Sequence, residues 1–285
     1  MSHTYASVAR LKDYIKDSGS ATTGGLGTAN DGTLLGILEA ASRSVDKYCD
    51  RSQFGSDFGP RTGTNKYDGR NETGIDLNDD LLALTSVTLL DRANGASIGS
   101  VTVNTDYVLR DRAGHNTTPY RELVLHGEGS VTNVGYGYQV SALAGSWGYQ
   151  DVRVAAGTAG TVTASITTVS ITGATVYAGQ TILLDSEQMY VTASTGGTAL
   201  TVTRAANGTT AAVHAADSAV TTYTYPSEVV DATLQISLRR WKARDAGADG
   251  SYGGGQLPGQ TPAFAASEMS ILHRTVGHLK FFGIG

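Results

Sequence analysis

The residues most suggestive of covalent chemistry are Gly95-Ala96-Ser97-Ile98-Gly99, which have the G-x-S-x-G spacing of a hydrolase nucleophile turn. That turn lifts its serine between a preceding strand and a following helix. Here the hairpin signal Asn94-Gly95 precedes the serine, and the apolar run 98–103 that follows is typical of a strand. The pattern therefore predicts a hairpin turn rather than a nucleophile.

A second candidate is the acidic run Asp76-Leu77-Asn78-Asp79-Asp80, which begins like a calcium-binding loop. Such a loop carries glycine at its sixth position and a bidentate glutamate at its twelfth. Leu81 and Val87 occupy those two positions in this chain. We therefore predict a polar turn that holds no metal.

The histidines and the single cysteine do not form a ligand set in the sequence. His273 and His278 are five residues apart, so they would point away from each other on a helix. The other histidines with predicted surroundings lie in separate turns or strand ends: His115, His126 and His214. Cys49 lies near the apolar face of a predicted helix and has no second cysteine to pair with. We therefore predict a protein without catalysis, bound metal or cofactor.

A cluster of basic residues lies late in a predicted helix over residues 226–245. Its members are Arg239, Arg240, Lys242 and Arg244. One interpretation is favourable placement at the negative end of the helix dipole, with ordinary solvation. The other interpretation is a contact with acidic groups of a neighbouring subunit, and the sequence leaves both open.

Composition favours β structure with many turns. The chain has 285 residues, of which only 16% are charged and 36 are glycine, and long stretches are rich in Thr, Ser and Val. No apolar run approaches the length of a membrane span, and the first residues lack the regions of a signal peptide. The net charge of −5 argues against general nucleic-acid binding.

The helical segments that would position these residues come from the two ends of the chain. Residues 31–50 carry the longest helical stripe, and its predicted core residues are Leu34, Leu38, Val45 and Tyr48. A shorter helix is predicted over 6–17, and a last helix opens at Ser267 after a glycine-rich linker. In the helix 226–245, Ile236 and Trp241 face the predicted core. We expect these helices to meet as a bundle.

The middle of the chain is predicted to be β structure in two parts. Residues 61–150 form an antiparallel β domain with Trp147 in its core, and residues 151–224 form an inserted β module with almost no charge. Residues 51–75 look polar and turn-rich. The predicted fold class is α+β: a helical bundle of residues 1–60 and 225–285, with an embedded antiparallel β domain and a small inserted β domain.

Several short motifs resemble one family. Ala40-Ala41-Ser42 is followed by Val45-Asp46-x-Tyr48-Cys49-x-Arg51-x-x-Phe54 at the end of the long helix. Trp147-Gly148-Tyr149 ends the first β part, and Pro226-Ser227-Glu228-Val229 opens the next helix. In this order, the motifs resemble head–tail connector (adaptor) proteins of long-tailed bacteriophages. About 75 residues intervene between the last two motifs, where the family has a close join.

The intervening segment has its own resemblance. Its marks are Ser186-Glu187-Gln188-Met189 and the stretch from Arg204 through Asn207-Gly208-Thr209 to His214. These residues resemble a β module that recurs in phage virion proteins.

The resemblance implies a non-enzymatic virion protein, made in the bacterial host cytoplasm and located at the phage neck. Such proteins form a ring, usually a dodecamer, that joins the portal protein to the next neck or tail-completion protein. Double-stranded DNA passes through the ring without sequence-specific binding, and no membrane is involved. A carbohydrate- or receptor-binding tail or fibre protein is the alternative, although such a β-only module has no use for the long helices.

The resemblance also implies that the C-terminal segment reaches out to bind the portal. The portal-binding candidates are Ile271, Leu272, Arg274, Val276, Lys280, Phe281 and Phe282, carried behind the linker 246–262. The basic residues of the preceding helix are the subunit-interface candidates. The alternative is that this last helix packs on the chain's own helices.

Overall fold

The structure is a computed structural model. It describes residues 3–19, 26–51, 57–91, 95–101, 105–127, 131–132, 134–245 and 263–279. The described residues divide into two units, one from Met1–Ser52 with Val152–Phe282 and the other from Gln53–Asp151.

Four α-helices lie within the described residues: α1 (Val8–Asp17), α2 (Asp31–Tyr48), α3 (Ser227–Asp245) and α4 (Ala263–Val276). The strands of the second unit are β1 (Arg61–Glu72), β2 (Gly74–Leu90), β3 (Ser97–Val101), β4 (Tyr107–Arg110), β5 (Tyr120–Leu125) and β6 (Val134–Trp147). The strands of the first unit are β7 (Val152–Ala159), β8 (Thr168–Thr172), β9 (Thr181–Leu184), β10 (Glu187–Thr195), β11 (Ala199–Thr203) and β12 (Ser218–Thr224).

The expectation of a fold built on a helical bundle is wrong. Among the described residues, strands account for 42% and helices for 27%, and the β structure is organised as a closed six-stranded barrel and a separate sheet. The sheet and the barrel each enclose a separate hydrophobic core. The helices instead form a layer whose apolar side is completed by barrel residues, so it is not an independent bundle.

The barrel runs in the order β10-β11-β8-β7-β12-β9, with β9 returning to β10. Alternating side chains such as Val169, Leu200 and Val220 fill its interior. Gly157 lets β7 approach β8 closely, because a Cβ there would lie 1.9 Å from the Thr172 carbonyl oxygen. The first residue of β7, Val152, pairs with the last residue of β12, Thr224, so the barrel begins and ends at neighbouring points.

The helical layer shares its core with the barrel. α2 packs on α3, and α3 packs on α1 and α4. The shared apolar cluster joins Leu11, Leu34 and Leu38 from helices α1 and α2 to Val230, Leu234 and Trp241 from α3, and to the barrel residues Ala178, Tyr190 and Ala206. Burial of this face against the barrel is therefore part of what holds the helices in place.

The second unit is an antiparallel sheet in the order β1-β6-β2-β5-β4, with β3 paired to the far half of β2. Trp147 is fully buried and donates its indole N–H to the Gly63 carbonyl, 3.1 Å away. The prediction of a turn-rich segment over residues 51–75 is wrong for residues 61–72, because β1 is a twelve-residue strand at the edge of the sheet. Its exposed positions include Lys66 and Arg70, and charges of this kind mask the apolar alternation of a strand.

Candidate functional site

The serine of the G-x-S-x-G sequence begins a strand, as the hairpin prediction required. Ser97 pairs with Leu90 across the β2–β3 hairpin. The Asp91 N–H donates to the Ala96 carbonyl and the Gly95 N–H to the Asp91 carbonyl, both at 2.8 Å. Ser97 is followed by the strand β3 and not by a helix. These described residues therefore do not form the strand–turn–helix geometry of a nucleophile.

The acidic run 76–80 lies inside β2, so its prediction as a turn is wrong. The strand is irregular between Asp76 and Leu81, which turns successive acidic side chains inward. Asp80 is buried and forms an ion pair with Arg121, while Asp79 accepts a hydrogen bond from Asn65. Among the described residues, no group of three or more His, Cys, Asp or Glu side chains is placed to hold a metal ion.

The basic residues of α3 have contacts within the chain. Arg240 forms two hydrogen bonds of 2.9 Å to the Glu268 carboxylate and one of 2.8 Å to the Ser44 hydroxyl. The Arg244 guanidinium lies 4.8 Å from the centre of the Trp241 ring. Arg239 and Lys242 are half-buried. Arg240 thus links α3, α4 and α2 of one chain.

Helix α4 lies on α2 and α3 of its own chain. Leu272 and Val276 are buried, Ile271 is half-buried, and exposed Arg274 donates to Gln235. Lys280, Phe281 and Phe282 lie outside the described residues, as does the linker 246–262. For Leu272 and Val276 to contact a portal protein, α4 would first have to leave this position.

The end of α2 makes contact with α4 through residues of the connector-like motif. The Tyr48 hydroxyl lies 3.1 Å from His273 Nδ1, and the Cys49 thiol lies 3.9 Å from the Val276 carbonyl. Tyr48 is half-buried, whereas the other predicted core residues are buried: Leu34, Leu38, Val45, Trp147, Ile236 and Trp241.

A polar buried region lies where residues 3–7, which we call the N-terminal clip, pack into the first unit. The Tyr5 hydroxyl donates to the Asp46 carboxylate, and the Tyr5 N–H donates to the Ser42 hydroxyl at 3.2 Å. Arg43 lies 2.6 Å from the other Asp46 oxygen and also donates to the His3 carbonyl. Asp46 is therefore fully buried with its charge paired.

The clip also binds the barrel. The two ring nitrogens of His3 lie 3.1 Å from the Thr181 hydroxyl and 3.1 Å from the Asn207 amide nitrogen. The Thr4 hydroxyl donates to the Gly179 carbonyl. Gly179 has a φ of +93°, and a Cβ there would lie 3.0 Å from the Ala6 carbonyl, so glycine permits this close approach.

A second polar cluster, the acid–arginine network of Asp185, Glu187, Arg204 and His214, fixes one end of the barrel. Arg204 binds the Glu187 carboxylate through two hydrogen bonds of 2.7 Å. His214 lies between two carboxylates, with Nδ1 2.6 Å from Asp185 and Nε2 2.9 Å from Glu187. Burial by itself would raise the pKa of Glu187, but hydrogen bonds, chiefly from Arg204 and then from His214, outweigh it and lower the pKa to about 2.

The same network brings together residues that lie far apart in the sequence. Besides Glu187, the Arg204 guanidinium donates to the carbonyl oxygens of Thr163, Ile166 and Ala212, at 2.7, 3.0 and 2.6 Å. One arginine therefore ties two loops and a strand to a single buried acid. The arrangement positions and stabilises surfaces; it holds no adjacent nucleophile and base.

We expect Tyr5→Phe to lower the free energy of unfolding by about 1.5–3 kcal/mol, since it removes a hydrogen bond to a buried carboxylate. The ring itself, which packs edge-on against Tyr225 at 4.9 Å, is retained. Chemical denaturation measures the change. Tyr177→Phe, at an exposed tyrosine of the barrel, is the matched control. Equal stability of the two variants would show that the clip is not held through Asp46.

No protein-family model and no curated protein matches this chain. Among the described residues, no helix combines the length and apolar character required to cross a membrane.

Proposed function

We propose that this protein is a structural component of the neck of a long-tailed bacteriophage. In this proposal the protein forms a ring between the portal protein and the next neck or tail-completion protein. The ring has twelve copies, as is usual in the family that the motifs resemble. The ring continues the channel through which double-stranded DNA passes. The protein then acts by binding its neighbours, without catalysis or a cofactor.

The observation that carries the proposal is the adjacency of the two barrel ends. Val152 and Thr224 are paired residues of one ladder. Just outside them lie Trp147-Gly148-Tyr149 and Pro226-Ser227-Glu228-Val229, the two motifs that connectors place close together. Without the barrel, the chain has the order of helices, β domain and helix that the resemblance implies. The barrel then accounts for the 75 intervening residues as an insertion at one point.

Burial of the N-terminal motif supports the same proposal. Asp46 and Arg51 are buried, and the Arg51 N–H donates to the Asp46 carbonyl at 2.9 Å. Cys49 is also buried, against α4. Residues shared with the connector pattern thus have a physical role, which is to fasten the end of α2.

The test is binding to the portal protein encoded with this chain. We expect the purified chain to bind the portal and to add a ring of density to it in negative-stain images. A portal from an unrelated phage is the control. Binding to host-cell polysaccharide without binding to either portal would contradict the proposal and favour the carbohydrate-binding alternative.

A further inference from the structure

The imidazole of His3 is fully buried, and its hydrogen bonds define which ring nitrogen carries a proton. The Asn207 amide nitrogen donates to the Gln188 side-chain oxygen at 2.8 Å and lies 3.1 Å from His3 Nε2. An amide nitrogen can only donate, so His3 Nε2 must accept and carries no proton. The proton of the neutral ring is therefore on Nδ1, which donates to the Thr181 hydroxyl 3.1 Å away.

The loop that presents the Asn207 amide to the ring is held in place. Asn207 is buried and has a φ of +53°, a left-handed conformation that few residues with a Cβ adopt. The Thr209 hydroxyl accepts the Gln188 N–H at 3.0 Å and donates to the Ala206 carbonyl at 2.8 Å, which ties this loop to β10. If the Asn207 amide turned over, its oxygen would face the Gln188 oxygen as well as His3. A protonated ring therefore fits only if both amides turn over together.

The charged groups of α2 beside the clip are engaged with partners. Arg43 pairs with Asp46 and also donates to the His3 carbonyl. Glu39 accepts a hydrogen bond from the Tyr190 hydroxyl at 2.9 Å. A proton on His3 would therefore place a second positive charge in a buried region that already holds Arg43, and burial disfavours the charged form of an imidazole.

The barrel side of the ring is aromatic and uncharged. Tyr223 and Tyr225 pack edge-on against the imidazole, with ring centres 5.5 and 5.8 Å away. Glu187 precedes Gln188 on β10, so the two side chains point to opposite faces of the strand. On that opposite face Arg204 binds the Glu187 carboxylate.

We propose that His3 makes the N-terminal clip a proton-sensitive latch. The neutral ring closes the latch between Thr181 and Asn207. A proton taken from solvent at Nε2 sets two donors against each other and buries a charge, so the clip leaves the barrel with its histidine protonated. The bond from the Val8 N–H to the Ala178 carbonyl, 2.9 Å long, is the next to lose support, which loosens α1 from the barrel.

The direction of the pH effect follows from proton balance. Histidine in water has a pKa of about 6.5. Above that pH the clip opens without taking up a proton, so the closed latch is stable. Below it each opening takes up one proton, so the open population should rise about tenfold for each pH unit.

Hydrogen–deuterium exchange of the full chain tests the latch between about pH 7.5 and about pH 5.5, the range in which histidine changes charge. The reporters are the Tyr5 and Val8 amides, which donate to the Ser42 hydroxyl and the Ala178 carbonyl. After correction for intrinsic exchange, we expect their protection to fall about tenfold for each pH unit below about 6.5. Amides in the middle of α2 should keep their protection, because the release is local.

Two variants identify the titrating group. Glutamine can donate to Thr181 and accept from Asn207 but does not titrate, so His3→Gln should abolish the pH dependence. His115→Gln, at an exposed histidine of the second unit, should keep it. Protection that is independent of pH in the wild type, or a pH dependence that persists in His3→Gln, would overturn the latch.

A second measurement needs no variant and decides the matter if His3→Gln does not fold. Nitrogen-15 NMR of the histidine rings reports the tautomer directly, and we expect His3 to be neutral near neutral pH with its proton on Nδ1. A proton on Nε2, or a charged ring at that pH, would contradict the proposal. None of these results depends on binding to a portal, so the latch and the neck function can fail separately.

Discussion

Arg204→Met is expected to destabilise the protein by about 3–5 kcal/mol, because it leaves a buried carboxylate without its charged partner. Glu187 is fully buried, and the Arg204 side chain is nearly so. The substitution also frees the loop carbonyls of Thr163 and Ala212 from their donor. Urea denaturation followed by circular dichroism measures the loss.

Two further variants show whether charge pairing is the cause. Arg244→Met removes an exposed guanidinium that lies over Trp241, and its effect should stay below about 1 kcal/mol. The double variant Arg204→Met with Glu187→Met should recover part of the loss, because no unpaired charge remains. A double variant less stable than Arg204→Met would mean that packing, rather than the buried charge, controls this end of the barrel.

The pH dependence of stability follows from the same acid. The pKa of Glu187 is lowered to about 2 from an ordinary value of 4.5. Its contribution is therefore complete above pH 4.5 and disappears as the pH falls toward 2. We expect Glu187→Gln to be less stable at neutral pH and to show a shallower fall of Tm across that acidic range.

Deletion of residues 152–224, bridged by a short Gly/Ser link, should destabilise the helical layer severely. Val8, Leu35 and Leu38 share their core with Ala178, Tyr190 and Ala206 of the barrel. Burial of one large aliphatic side chain contributes about 1.5–3 kcal/mol, and whole domains are stable by only about 5–15 kcal/mol. We expect loss of cooperative melting and aggregation at low temperature, measured by calorimetry and light scattering.

A point substitution separates this explanation from damage at the deletion site. Leu35 is buried against Gly179 of the barrel, whereas Lys47 lies on the exposed side of the same helix. Leu35→Asp should reproduce much of the destabilisation in the full chain, and Lys47→Asp should not. A deletion variant that melts like the full chain would show that the helices are stable without the barrel.

Local periodicity predicted the elements whose burial is one-sided. The helix predicted over 31–50 is α2, Asp31–Tyr48, and the one predicted over 226–245 is α3, Ser227–Asp245. β3, Ser97–Val101, overlaps the apolar run 98–103 that was predicted as a strand. Apolar spacing is visible in these segments because one face is buried and the other is solvated.

The same reasoning failed where polar residues are buried or strands carry charges. β1 places charged side chains along the end of a sheet, so its composition resembles a loop. Asp79, Asp80 and Asp46 are buried acids, each with a partner distant in sequence. Such pairs leave no periodic signal, because only the folded chain brings the partners together.

The site was predictable in its parts but not in its assembly. The sequence contains Glu187, Arg204 and His214 without any sign that they form one ion-pair network. The sequence did not predict the N-terminal clip, because His3 and Tyr5 belong to no periodic apolar pattern that would indicate burial.

The contacts of the clip set the order in which this chain can fold. His3 meets Thr181 and Asn207, which follow it by 178 and 204 residues. At about 5–20 residues per second, a ribosome delivers these partners roughly 10–40 s after the histidine. Residues 3–7 must therefore wait for the barrel before their contacts are complete, and such distant pairings form slowly. Until then the apolar side of α1 lacks its barrel and α3 partners on the nascent chain, so slower synthesis of the barrel should prolong its exposure to chaperones and proteases.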